Sequence, residues 1–348
     1  GQCSLYANTT GANNTAVGKD ALLANTTGTR NTAIGIFSLD ANTTADDNTA
    51  MGYESLGANT TGASNTAFGK SALCANTTAS CNTAFGFKAL CTNTTGAENT
   101  AVGTSALDSN TTGYANTVVG VSALQSNTTG FGNTAISKFS LYTNTTGTCN
   151  VAVGVNALIC NTTASNNVAV GAASLAANTT GADNVAMGYN SLVANTTGSS
   201  NVAIGTTALD ANTTAIGNTA VGRSSLGNNT TGANNTAVGC TALLTNTTAG
   251  DNTAVGRQSL KLNTTGSSNT AVGADSFDSV TTGDCNTSIG RIAGGNLTTG
   301  NNNITIGYLA GTDAVRNITT GSNNIVLGNN SSATAHIKID WTVTSDLR

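Results

Sequence analysis

A chain of 348 residues with 41 glycines, no proline, 8% charged and 4% aromatic residues is long enough for two or three domains but cannot build a large globular core from bulky side chains. Its net charge of −4, with 12 scattered Lys and Arg, gives no electrostatic case for nucleic acid, and 38% apolar content at such low charge argues against disorder. No apolar run approaches the roughly 18 residues of a membrane span, so no membrane insertion is expected.

What remains is a repeat. Asn-Thr-Ala-apolar-Gly begins at Asn14 and returns every 17 residues as far as Asn303, and a last copy begins at Asn324 after 21 residues. Residues 1–13 are the back part of an earlier copy. Because Gly1 enters that copy in mid-pattern, without an initiator Met or signal peptide, the chain is expected to be a fragment or processed product.

Taken in chain order within a copy, positions 1–5 predict a short strand. Position 2 is Thr, Val or Ile and position 4 is always apolar, as at Val17, Ile34, Met51, Phe68 and Leu327. Both belong to one face of a strand, which we assign to the interior. Position 5 is Gly except at Ser137 and predicts a turn of positive φ. Position 9, Leu from Leu22 to Leu260 and then Phe277, predicts the centre of a second strand. Asn-Thr-Thr at positions 12–14 and Gly or Ala at position 15 make the next corner. Positions 6, 7, 10, 16 and 17 vary, hold most of the charges and are assigned to solvent.

One such unit buries too little to stand alone, and stacking identical units supplies hydrogen bonds and a continuous core. The expected fold is therefore all-β, a parallel β-solenoid (β-roll) of 17-residue coils. Residues 1–302 are the regular repeat, 303–335 irregular terminal repeats, and 336–348 a stalk or linker to a C-terminal chaperone domain outside the chain. If position 4 points inward, position 3 points outward. The alanines Ala16, Ala33, Ala50, Ala67 and Ala84 then form an outward apolar stripe, which would be buried in a homotrimer around a threefold axis. The other reading is that these alanines face a crowded interior turn.

The Asn-Thr-Ala-Val-Gly pattern resembles the head repeats of trimeric autotransporter adhesins, which implies a parallel β-roll wound about a threefold axis. Its 17-residue coil is longer than is usual in those heads. The repeat is also similar to the shafts of phage and large-virus tail fibres. Ser345-Asp346-Leu347-Arg348 resembles the opening of the intramolecular chaperone of phage tail spikes and fibres. That resemblance implies autoproteolytic release at Ser345–Asp346, with the chaperone body and its assisting lysine lying outside this sequence. The implied function is a structural fibre shaft on a virion, presenting surface to a host glycan or protein receptor. A bacterial surface adhesin is the alternative, and localisation is on the virion or cell surface.

Other features point to little chemistry. The sixteen Asn-Thr-Thr triplets, from Asn8, Asn25, Asn42 and Asn59 onward, are formal N-glycosylation sequons. They also read as a ladder of identical side chains stacked coil on coil, the reading preferred here. Rows of Thr further raise an ice-binding solenoid. Eight cysteines form no Cys-x-x-Cys pair and His336 is the only histidine, so no metal site is expected. Cys74 and Cys91 share position 10 of adjacent coils, within reach of a disulfide or standing as two free thiols. No catalytic or cofactor-binding residue is assigned, and no enzyme is expected.

Overall fold

A computed structural model describes residues 1–314 and 316–332, which form a parallel β-solenoid with no helix among them. Nineteen three-residue strands, β1 (Thr15–Val17) to β19 (Ile325–Leu327), make one sheet in which each pairs with the next in sequence. Register follows the repeat: Thr15 pairs with Thr32, Ala16 with Ala33 and Val17 with Ile34. At about 4.8 Å per strand, the sheet runs about 86 Å.

Only three residues of each coil are strand, yet hydrogen bonds between coils run all the way round. Thr32 N–H donates to Asn48 O (2.8 Å), Leu39 N–H to Ser55 O (3.0 Å) and Thr43 N–H to Thr60 O (3.2 Å), all in the following coil. Gly35 and Phe37 N–H donate the other way, to Val17 O (2.8 Å) and Lys19 O (3.1 Å). The backbone thus satisfies itself by stacking, as a buried backbone must.

The second strand expected at position 9 is absent. Leu22, Leu39 and Leu56 instead lie in a turn at φ 51°, 51° and 54°, in the left-handed region. Positions 7 and 17 are left-handed too, as at Asp20 (57°) and Arg30 (58°). Such a conformation costs a non-glycine residue about 1–2 kcal/mol. At position 9 it is offset by full burial of the leucine, worth about 1.5–3 kcal/mol, and by its hydrogen bond to the next coil. Gly at position 5 has a different constraint. Gly35 sits at φ 140°, and a Cβ there would run into the carbonyl of Gly52.

The strand faces are the reverse of those assigned from sequence. Ala33, Ala50, Ala67 and Ala84 are 0% exposed inside the coil, while the residues on either side of each are not buried. Ala16, in the first strand, is half-buried. The proposed outward alanine stripe is therefore interior, because the coil is narrow. Its buried columns are positions 1, 3, 8, 9, 12 and 15, and beside Leu and two columns of Asn the space at position 3 is small, taken by Ala from Ala33 to Ala271 except at the fully buried Val118.

Candidate functional site

Two asparagine columns organise the interior. At position 12, Asn42 Nδ2 donates to Asn25 Oδ1 (2.8 Å) in the preceding coil and to Ala45 O (3.1 Å) in its own. At position 1, Asn31 Nδ2 donates to the same Ala45 O (2.8 Å), while Asn31 Oδ1 accepts from the backbone N–H of Asn48 (3.0 Å). From Gly28 to Gly266 each position-15 carbonyl is thereby held by both columns. The position-13 threonines add a third ladder, with Thr26 Oγ1 donating to Thr43 O (3.0 Å).

This arrangement disposes of the sequons. Asn25, Asn42 and Asn59 are fully buried and both amide N–H groups of each are engaged. An N-linked sugar would break those bonds and has no room to leave the core. Asn8, in the opening partial coil, is half-buried and donates to Gly11 O (3.0 Å). Ser345 and Asp346 lie outside the described residues, as does His336.

The surface that stands out is the outward face of the sheet. Position 4 is apolar in all nineteen strands, yet Val17 is 56% exposed, Phe85 50% and Leu327 53%. Position 2 beside it is Thr, Val or Ile, so the stripe carries no charge along the whole sheet. Phe68 and Phe85 stack on it with ring centroids 4.6 Å apart. Its two margins differ in sign. Position 6 carries Lys19, Lys70, Lys138, Arg223, Arg257 and Arg291 and no acid, whereas position 17 carries Asp47, Glu98, Asp183 and Asp251 against Arg30 alone. Arg30 is paired with Asp47 across one coil at 2.6 Å, which raises its own basicity and holds the Asp47 carboxyl below its usual range.

The sequence signal for this face was present. Position 3 is restricted in size, which marks an interior column. Position 4 ranges from Val to Phe but never becomes polar, which marks a surface selected for being apolar rather than for filling a fixed volume.

Elsewhere the outer surface is mixed, with exposed apolar side chains such as Phe87, Val121 and Ile216 among polar ones. The position-14 threonines, such as Thr27, Thr44 and Thr61, form an exposed row. All eight cysteines are free thiols. Among the described residues, no group of three or more His, Cys, Asp or Glu could hold a metal ion, and no helix is long and apolar enough to cross a membrane. At position 10, Asp40, Asp210 and Asp278 each lean over a glycine of the next coil, Gly57, Gly227 and Gly295. Burial pushes all three carboxyls above the usual range. Comparison with protein-family models gives no match for this chain, and comparison with curated proteins gives none either.

Proposed function

We propose that this solenoid is the shaft of an extracellular fibre, assembled as a homotrimer through the outward face of its sheet and presenting its variable positions to a host glycan or protein receptor. The observation that carries this reading is the uncharged stripe of position-4 side chains. On a sheet about 86 Å long, a stripe about 10 Å wide offers about 860 Å² per copy, comparable with the roughly 800 Å² per partner of a stable interface. The opposite margins favour parallel chains. Around an axis along the rod, the basic position-6 margin of one copy meets the acidic position-17 margin of the next; an antiparallel pairing would bring like charges together. The resemblance of the repeat to tail-fibre shafts and trimeric adhesin heads favours a virion fibre, with a bacterial surface adhesin as the alternative owner.

Mass in solution by sedimentation equilibrium tests the assembly. Three chains are expected, falling to one in Val153→Lys/Ile204→Lys, which places two charges in the stripe. A wild-type monomer would sink the trimer and the stripe argument with it. The exposed Thr row at position 14 favours one competing reading, ice binding. Thermal hysteresis by the purified rod would support it, although Phe68, Phe85 and Met187 leave the strand face uneven.

A further inference from the structure

We propose that Cys74 and Cys91 are a dithiol–disulfide couple that staples two adjacent coils, oxidised by exchange with a low-molecular-weight disulfide that reaches Cys74 through a groove at Gly57. Both cysteines occupy position 10, in the coils of β4 (Thr66–Phe68) and β5 (Thr83–Phe85), which pair residue for residue. Equivalent Cα atoms in such coils are about 4.8 Å apart, inside the roughly 4.4–6.8 Å span of disulfides. The contact is made locally as well: Ala75 N–H donates to Cys91 O (2.9 Å) and the Cys74 thiol donates to the same carbonyl (3.3 Å). No other two cysteines share a position in neighbouring coils; Cys81, Cys149 and Cys285 share position 17 but stand several coils apart.

Access is one-sided. The coil before Cys74 has Gly57 in the same column, and the missing side chain opens a groove of about 480 Å³ lined by Phe37, Asp40, Glu54, Gly57, Ala58 and Cys74. Cys91 instead has Cys74 on one side and Asp108 on the other in that column. The two sulfurs are also unequal. A hydrogen bond from the Cys91 thiol favours the Cys74 thiolate and draws Cys74 below the usual thiol range. The same bond, and then burial, pushes Cys91 up. Cys74 is the attacking sulfur because the groove opens on it and not on Cys91, and its thiolate is the nucleophile.

In the first step the Cys74 thiolate attacks one sulfur of the small disulfide. Its S–S bond breaks, and the released thiolate takes up the proton that Cys74 lost. In the second step Cys91 gives up its proton and its sulfur attacks Cys74 in the mixed disulfide. That expels the second small thiolate, which takes the Cys91 proton. Two protein thiols are oxidised and one small disulfide is reduced to two thiols.

The test uses the whole chain, folded, with glutathione disulfide, followed by digestion without reduction and mass mapping. The expected product joins the Cys74 and Cys91 peptides with the loss of two hydrogens. Cys91→Ser is expected to stop at a glutathionyl adduct on Cys74. In Cys74→Ser, Cys91 should stay unmodified while exposed Cys81 and Cys149 react as before. Gly57→Leu, a residue this column already carries at Leu23 and Leu244, should slow the link several-fold. Glutathionylated Cys81 and Cys149 with no Cys74–Cys91 link in the wild type would overturn the proposal, whatever the variants do. An unchanged rate in Gly57→Leu would overturn the groove as the route.

Discussion

The coils up to Leu260 and those from Phe277 onward follow the same path around the rod but fill it differently. In the regular coils the interior holds Leu at position 9 and Asn at position 12. Then the pair becomes Phe277 with Val280, Gly294 with Leu297, and Gly311 with Ile318. Phe277 is fully buried, and a Cβ on Gly294 would run into its ring, so one large ring serves two levels of the column. Position 3 enlarges in step, from Ala271 to Ser288, Thr305 and Val326. What is conserved is the filled volume, not the residue in each column.

The polar columns show which asparagine the backbone needs. The position-12 ladder ends at Asn263, whose Oδ1 has no hydrogen-bond partner because Val280 follows it. The position-1 ladder continues, through Asn303 N–H to Asn286 Oδ1 (2.9 Å) and, across the longer last coil, Asn324 N–H to Asn303 Oδ1 (3.0 Å). Position 1 accepts from a backbone N–H that has no substitute. Position 12 is replaceable because Asn286 Nδ2 alone still satisfies Gly300 O (2.9 Å).

The largest expected effect therefore separates the same substitution in the two regions. Asn286→Ala strands both Asn303 N–H and Gly300 O and should cost about 2–6 kcal/mol. Asn150→Ala strands only Asn167 N–H, since Ala164 O keeps Asn161 Nδ2 at 3.0 Å, and should cost about 1–3 kcal/mol. Native-state hydrogen exchange at the affected coils reads the local loss; equal losses would break the distinction. Gly294→Ala should cost about 1–3 kcal/mol by overpacking, and Phe277→Leu in the same chain should recover most of it in urea unfolding. Asn263→Val extends the apolar column by one level and should stay within about 1 kcal/mol of wild type, because the unpaired oxygen only passes from Asn263 to Asn246 while Gly266 O keeps Asn252 Nδ2 (2.9 Å).

The smallest effect is one on which the two regions should agree. Asp40 and Asp210 in the regular coils and Asp278 near the end all have folded-state carboxyls raised by burial. A raised acid binds its proton more tightly when folded, so stability rises as pH falls through the folded value and the gain is complete below the unfolded one. Asp46 and Asp47 act oppositely, held low first by the Thr29 N–H and by Arg30 respectively, so their contribution fades on acidification. The measured check is the thermal midpoint between neutral and mildly acidic pH. Asp108 is raised by burial in the same way, so replacing Asp40, Asp108, Asp210 and Asp278 with Asn should remove the upward component, and each single replacement should remove part of it.

The sequence by itself determined the coil length, the in-register parallel stacking and the Asn ladders, because only a stack of near-identical turns makes the same residue useful at 17-residue intervals. It also located where the repeat decays. Apolar patterning along the strand did not determine which face is interior, although the narrower size range at position 3 pointed to it. Strand alternation places positions 2 and 4 together and position 3 opposite, but both faces here are apolar, so hydrophobicity could not choose between them. The tertiary structure decided that: three left-handed residues per coil close the turn so tightly that Leu22 and its equivalents, with two columns of Asn, leave space for only a small side chain beside them, Ala in every regular coil but that of Val118. Steric capacity sent the larger apolar side chains outward, and with them the stripe on which association would depend.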